Sequence, residues 1–174
     1  MTLWLQPIWD GSIAFVRDHV AWTPYIVFAL GFAESIALVS LFVPSTILFL
    51  AIGGLHSAAG GSFVEVWIAG ACGAAIGDVV SYLTGRYFKN DVPGMWPFSR
   101  MPGVVPKARA MFERYGFWSL IAGKFFGGLR PFVPVVAGMM DMPWLVFLLG
   151  TVISSVIWAG LFLAPGYGIL MIPW

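Results

Sequence analysis

The stretch GKFFGGLRPFVPVVAG, from Gly123 to Gly138, sets two cations, Lys124 and Arg130, among glycines, prolines and aromatic residues. The chain around it is so apolar that a membrane-embedded helix is expected here. Glycines allow close backbone approach and prolines prevent a helix from continuing, so the stretch predicts a broken helical segment. At membrane depth, broken backbone is tolerated only where it is buried in protein or lines a water-filled cavity. The pattern therefore predicts a functional cavity and not a simple span.

The composition is that of a membrane protein. Of the 174 residues, 60% are hydrophobic and only 10% are charged, and the mean hydropathy is +0.90. An average soluble domain carries about 25% charged residues. The single cysteine, Cys72, excludes disulfides within the chain and cysteine-based metal clusters, and its Gly/Ala-rich surroundings predict a buried packing residue. Residues 1–5 lack a basic region, so we expect no cleavable signal peptide.

The first third of the chain predicts an interfacial helix followed by a broken apolar segment. Residues 1–20 alternate apolar clusters with charged side chains, as amphipathic segments on a membrane surface do. In residues 21–55 the only acid or base is Glu34. This run is too long for one crossing, is interrupted by Pro44 and ends in the glycine pair that begins at Gly53. We predict two half-crossings or a re-entrant hairpin that turns near Pro44.

Two later segments predict transmembrane helices. Residues 62–86 open with Ser62 and Glu65 in the spacing of a capping box. They also carry a row of small residues, typical of close helix packing in membranes: Gly70, Gly73, Ala74, Gly77 and Ser81. Residues 142–165 carry no charge and are long enough for a second span.

The loop at residues 87–116 is basic. Its six cations, counted from the end of the preceding helix, are Arg86, Lys89, Arg100, Lys107, Arg109 and Arg114. The positive-inside rule predicts that this loop is cytoplasmic. Within it, Pro106 can start a helix and Gly116 can end one. We predict an amphipathic helix there, lying on the membrane face with its cations near anionic headgroups.

The chain as a whole predicts an all-α polytopic membrane domain with two inverted repeats. Residues 117–138 form the second broken segment and correspond in position to residues 21–55. Each half then has an amphipathic entry helix, a re-entrant segment with buried ionisable residues, and a span. Paired broken helices of this kind indicate a midplane substrate site in transporters.

Four ionisable residues fall at membrane depth: Glu34, Asp78, Lys124 and Arg130. Each charge at the centre of a membrane helix costs about 2.5–3.5 kcal/mol on insertion scales. Their charges sum to zero, so mutual pairing around a shared cavity is the expected arrangement. Two roles stay open for the pairs: fixed ion pairs that hold the two halves together, or a substrate site.

The surroundings of Arg130 favour a site for an anion. Gly127 and Gly128 allow close approach of the backbone, and an arginine fork beside helix N-termini suits a phosphate group. We therefore expect Lys124 and Arg130 to bind a lipid phosphate, with Glu34 and Asp78 as counter-charges or proton carriers.

Two further residues are candidates for the same site. Tyr82 lies one turn after Asp78 on the same helix face, and Arg86 lies one turn further towards the basic loop. Arg86 can equally be a positive-inside anchor. The sequence contains no metal-ligand spacing around His19 or His56 and no nucleotide-binding motif, so we expect no cofactor, no metal and no nucleic-acid partner.

The chain resembles the DedA family of bacterial inner-membrane proteins, whose shared core is the VTT domain. Four motifs carry the resemblance: FAESIALVSLFVPST, GAAIGDVVSYLTGR, GKFFGGLRPFVPVVAG and SSVIWAGLFLAPGYG. The resemblance implies two inverted re-entrant hairpins that meet at the midplane. It also implies lipid translocation, because members are implicated in recycling undecaprenyl phosphate and related VTT proteins in scrambling phospholipids.

The family pattern implies roles for the four charged residues and shows two departures. Its acidic residue before the first turn corresponds to Glu34, its Gly-Asp pair ends at Asp78, and its two basic residues correspond to Lys124 and Arg130. The first basic position is usually arginine, so Lys124 keeps the charge and loses the fork. Many members carry an acid after the first-hairpin proline, where this chain has Thr46, which weakens an argument for proton coupling.

Three other functions compete with that of a translocase. A lipid phosphatase needs two catalytic histidines after a Lys…Arg-Pro motif, and no histidine follows His56, so we expect no enzymatic activity. A non-transporting scaffold or chaperone and a proton-coupled exporter of small cations remain alternatives. The resemblance extends to members fused to a lipid phosphatase, which makes such an enzyme a candidate partner, and a homo-oligomer is compatible with the sequence.

Overall fold

The computed structural model describes residues 18–36, 45–96, 98–100, 103–125 and 130–168, and this part of the chain folds into helices and turns without a strand. The α-helices of the described part are α1 (Thr23–Ser35), α2 (Ser45–Ala58), α3 (Phe63–Phe88), α4 (Val104–Tyr115), α5 (Trp118–Gly123), α6 (Val133–Met139) and α7 (Trp144–Leu163). Short 3₁₀ helices cover Val20–Trp22, Lys89–Gly94, Phe98–Arg100 and Ala164–Tyr167. The predicted all-α class is confirmed.

Two helices are long and apolar enough to cross a membrane. Helix α3 has 26 residues, and α7 with its 3₁₀ extension has 24. At 1.5 Å per residue α3 is about 39 Å long, more than the roughly 30 Å of a hydrocarbon core. Both coincide with the spans predicted at residues 62–86 and 142–165. Ser62 is the N-cap of α3, but its side chain makes no capping hydrogen bond, so the predicted capping box does not form.

The outward faces of α3 and α7 are apolar. Large exposed hydrophobic residues lie along both helices: Val64, Ile68, Ile76, Val80, Leu83, Leu145, Leu149, Val152, Ile153, Ile157 and Leu161. A surface of this kind suits contact with lipid. Cys72 is exposed on this surface, so its predicted burial was wrong: it lies one turn from Ile68 and Ile76, on the lipid-facing side of α3.

The first apolar run is divided into two helices. Helix α1 ends at Ser35, where Ile36 turns to extended backbone with ψ of 120°, and α2 begins at Ser45. Helix α2 continues through Gly53 to Ala58, beyond the predicted end at the glycine pair. At Gly53 the absence of a side chain lets α2 approach the end of α7, because a Cβ on Gly53 would lie 3.0 Å from the Leu163 carbonyl oxygen.

Several predicted features lie outside the described residues. They are most of the interfacial segment (residues 1–17), the turn near Pro44 (37–44), and the glycines Gly127 and Gly128 (126–129). The re-entrant paths and the inverted repeat therefore stay predictions.

Helix α3 is the central element and packs against α1, α6 and α7. Its small residues allow α1 to approach to backbone contact: a Cβ on Gly77 would lie 2.6 Å from the carbonyl oxygen of Phe32. On the α6 side, a Cβ on Gly85 of α3 would clash with the backbone of α6, and a Cβ on Gly138 of α6 would clash with the carbonyl oxygen of Tyr82. The predicted small-residue face thus brings α1 against α3, and Gly85 with Gly138 allows an equally close approach of α6.

Replacing Gly138 by alanine should destabilise the fold by at least about 2 kcal/mol, in the range measured for overpacked sites. The added methyl group would meet backbone, which cannot rotate away as a flexible side chain can. We expect a lower midpoint of thermal unfolding, followed by circular dichroism in detergent. Gly94→Ala is the matched control, because a Cβ there meets nothing within 4 Å. Equal midpoints for the two variants would contradict the close packing of α6 on α3.

Helix α4 has an apolar face that packs on protein. Val105, Ala108 and Phe112 are buried and join the cluster that contains residues of α5 and α6. A helix lies where the sequence predicted one, and α5 and α6 leave an apolar surface that α4 covers. Its position on the cytoplasmic membrane face stays a prediction. Lys107 and Arg109 remain exposed on its other side.

In the part of the chain that the structure describes, the buried apolar residues form two separate clusters with a polar zone between them. On α3, Ala74 belongs to one cluster and Tyr82 to the other, and Asp78 lies midway between them. On α7, Phe147 and Trp158 are divided in the same way, with buried Ser154 and Ser155 between them. The polar residues of both long helices therefore lie near mid-span.

Candidate functional site

The polar zone contains two buried ion pairs. The first joins Glu34, in the last turn of α1, to Arg130, in the turn that precedes α6; Arg130 Nη1 is the donor and Glu34 Oε1 the acceptor. The second joins Asp78 of α3 to Lys124, just after α5, with 2.5 Å between Nζ and Oδ2. The four side chains are less than 10% exposed. The pairing predicted from their zero net charge is confirmed.

The Asp78–Lys124 pair is fully supported by neighbours on α7. Thr151 Oγ1 donates to Asp78 Oδ2 at 2.5 Å. Lys124 Nζ donates to Ser155 Oγ, also at 2.5 Å. A buried ion pair tolerates removal from water when further hydrogen bonds surround it, and this one meets that condition.

The Glu34–Arg130 pair is only half satisfied. The guanidinium carbon of Arg130 lies 3.9 Å from the ring centroid of Trp158, in cation–π geometry. Among the described residues, five polar atoms around this pair have no hydrogen-bond partner: Glu34 Oε2, Ser35 Oγ, Arg130 Nε, Arg130 Nη2 and Trp158 Nε1. Buried polar groups are seldom left unpaired, so this cluster has free capacity for a ligand.

A small cavity opens beside both pairs. Its lining combines three of the four charged residues with apolar residues and one hydroxyl: Asp78, Leu120, Lys124, Arg130, Val133, Pro134 and Thr151. Lys124 and Arg130 thus line one space, together with the Asp78 carboxylate. Two cations in a poorly solvated pocket attract an anion far more strongly than they would in water.

Tyr82 and Arg86, the other two candidates, make their contacts elsewhere. The Tyr82 hydroxyl donates to the Met142 carbonyl at 2.6 Å and accepts from Arg86 Nη1 at 3.1 Å. Arg86 also lies 3.7 Å from the Asp141 carboxylate, and Lys89 Nζ lies 2.7 Å from it. The hydrogen bond from Lys89 lowers the pKa of Asp141 below its ordinary value. In the described chain no hydrogen bond or ion pair joins Tyr82 or Arg86 to the four charged residues, and their binding role stays a prediction.

Three residues of α7 complete the site and were not among the sequence candidates: Thr151, Ser155 and Trp158. They follow the spacing i, i+4, i+7, which places them on one face of a helix. Hydroxyl residues along one face of an uncharged span are typical partners of buried polar groups in membranes. That spacing is the signal by which they could have been found.

Comparison with known proteins identifies related sequences. Residues 43–168 match the family model described as VTT domain. The chain is 31% identical over 153 residues to the inner membrane protein YabI of Escherichia coli K12, covering 87% of this chain and 60% of YabI. It is 29% identical to the uncharacterized membrane protein BU139 of Buchnera aphidicola, subspecies Acyrthosiphon pisum, over 88% of this chain and 60% of that protein.

A third relative aligns with a larger share of this chain. The inner membrane protein YghB of Escherichia coli K12 is 28% identical over 172 residues, which is 97% of this chain and 78% of YghB. The chain spans about 60% of the length of YabI and BU139. No solved structure matches. The names of these relatives support a membrane location.

Proposed function

This chain belongs to the VTT-domain (DedA) family, and from that premise we propose that it is a translocase for a lipid phosphate in the inner membrane. Undecaprenyl phosphate is the favoured substrate and a phospholipid the second choice. The protein acts without covalent chemistry and needs no cofactor. Its basic loop at residues 87–116 lies in the cytoplasm, where the positive-inside rule places it.

One observation carries the proposal. Arg130 is buried in a polar zone between two apolar clusters, lines a cavity together with Lys124, and has two guanidinium nitrogens without a partner in the described chain. A phosphate ester offers two or three acceptor oxygens and a negative charge. It therefore matches both the charge and the hydrogen-bonding capacity that remain free there.

The two ion pairs differ in how many hydrogen bonds hold them, which suggests different roles in transport. Asp78 and Lys124 are held by Thr151 and Ser155, so this pair forms a fixed side of the cavity on which the Asp78 carboxylate balances the Lys124 ammonium. Among the described residues, Arg130 has Glu34 as its single ion-pair partner. A phosphate that enters competes with Glu34 for the guanidinium, and release of the phosphate restores the pair. Exposing this cavity first to one side of the membrane and then to the other moves the headgroup across.

Purified protein in proteoliposomes should move fluorescently labelled undecaprenyl phosphate from one leaflet to the other. The matched control lipid is undecaprenol, which has the same chain without the phosphate and should move no faster than in protein-free vesicles. A labelled phospholipid tests the second choice. Equal movement of undecaprenyl phosphate and undecaprenol would contradict a phosphate site, and no movement of any lipid would refute the translocase.

A scaffold role is the second candidate, and the saturated network around Asp78 and Lys124 favours it. Such a protein would need its ion pairs for folding alone. A membrane lipid phosphatase is a proposed partner in either case, and self-association is compatible with both. Lipid movement that depends on phosphate distinguishes the translocase from the scaffold.

A further inference from the structure

Trp158 lies between the two segments predicted to be broken, residues 21–55 and 117–138. Its side chain is 1% exposed. One contact is with the guanidinium of Arg130, 3.9 Å from the ring centroid. Another is with Phe49 of α2, whose ring meets the indole edge-on at 88° with centroids 5.0 Å apart. Trp158 thus contacts the first broken segment through Phe49 and the second through Arg130.

The contacts of Arg130 leave a particular part of its guanidinium free. Glu34 takes Nη1, while Nε and Nη2 have no partner among the described residues. Nε–H and Nη2–H point in the same direction and form the side-on edge of the fork, which binds two oxygens of one oxyanion at once. An arginine with this edge free and its other end paired is arranged for bidentate binding.

Trp158 also has an unused donor. Its Nε1 is buried and finds no partner in the described part of the chain, although buried tryptophan N–H groups usually have one. Trp67 shows the ordinary arrangement, since its Nε1 donates to the Val156 carbonyl at 2.9 Å. The free indole N–H belongs to the same side chain that stacks on Arg130.

We propose that Trp158 is a positioning residue of the anion site: its ring holds Arg130 with the Nε–Nη2 edge free for an oxyanion, and its indole N–H is a third donor to that ligand. The inference rests on the proposed function for the identity of the ligand and deepens it. The ligand chemistry is a phosphate group, carried by a lipid or free in solution. Trp158 lies on α7 and is not part of the cavity lining, so contact between its indole N–H and the ligand requires the cavity to widen towards α7 when the ligand binds.

The direct test is the indole resonance of Trp158 in the purified protein, labelled with ¹⁵N-tryptophan, in detergent micelles. Inorganic phosphate and a short-chain alkyl phosphate are titrated separately, with chloride at equal ionic strength as the control. We expect a saturable shift of the Trp158 signal and none of the Trp67 signal. The phosphate with the lower apparent Kd identifies the source of the ligand. No shift with either phosphate overturns the proposal.

Lipid movement in proteoliposomes supplies the second readout. Trp158→Phe keeps an aromatic ring and removes the N–H, so the apparent KM for the lipid phosphate should rise about tenfold, as expected for one lost hydrogen bond to a charged group. Trp158→Leu also removes the ring and should raise KM further. Trp67→Phe is the matched control and should leave KM unchanged.

The two proposals fail in different ways. An unchanged KM in Trp158→Phe, with wild-type movement intact, refutes the role of Trp158 alone. A lower maximal rate at unchanged KM points to packing and equally refutes it. Absence of lipid movement by the wild type refutes the translocase, and the NMR titration still decides whether Trp158 binds phosphate.

Discussion

Proteoliposomes that carry Arg130→Ala should move lipid phosphate about a hundredfold more slowly than those that carry the wild type. The substitution removes the fork that we assign to the headgroup. It also leaves the Glu34 carboxylate buried without its counter-ion. Hydrogen bonds to charged groups contribute about 1.5–3 kcal/mol each, and about 2.7 kcal/mol corresponds to a hundredfold effect. The initial rate of headgroup movement, normalised to folded protein, is the measurement.

Misfolding has to be separated from loss of the site. The double variant Arg130→Ala/Glu34→Gln contains no unpaired charge at this position, so it should fold and still be inactive. Arg130→Lys keeps the charge and loses the fork, and we expect an intermediate rate. Arg109→Ala is the matched control, since Arg109 is exposed on α4, and its rate should equal that of the wild type. A folded double variant with wild-type activity would contradict the anion site.

Lys124→Met should destabilise the protein by about 3–5 kcal/mol, the cost of breaking a buried pair and leaving one charge behind. Asp78 is 4% exposed, and without Lys124 it would keep Thr151 as its hydrogen-bond donor but no counter-ion. We expect a marked fall in the thermal midpoint in detergent and less protein in the membrane fraction. The double variant Asp78→Asn/Lys124→Met should recover most of the stability, because neither buried charge then remains.

The exposed pair of Lys89 and Asp141 provides the comparison. Both side chains are 49% exposed, and exposed ion pairs contribute at most about 1 kcal/mol. Lys89→Met should therefore shift the midpoint only slightly. A Lys124→Met variant as stable as Lys89→Met would show that the Asp78–Lys124 pair has no role in holding α3 to the second broken segment.

The sequence alone predicted which residues are charged at membrane depth and which helix face packs closely. Four residues are conspicuous in so apolar a chain: Glu34, Asp78, Lys124 and Arg130. A charge at membrane depth is costly, so it is expected to be paired or to serve a function. The small residues of α3, Gly77 among them, predict close contact with another helix. This prediction needs only the local sequence, because a helix repeats every 3.6 residues and the spacing shows which positions share a face.

Other features depend on what lies opposite a residue. The spacing predicted the apolar face of α4, but amphipathicity shows only that such a face must be covered, and in the folded protein α5 and α6 cover it. Cys72 was assigned to the interior because its neighbours are small. Each step along a helix turns by about 100°, and Cys72 falls on the side that faces outward.

Composition and spacing by themselves thus determined a helical membrane protein with four charged residues that must neutralise one another. Only the tertiary structure decided that Glu34 pairs with Arg130 and Asp78 with Lys124, and that Trp158 lies against the guanidinium. These partners are far apart in the sequence. They meet because α1 and α6 dock on glycines of α3, and the contact between two distant segments is set by packing, on which local sequence patterns carry little information.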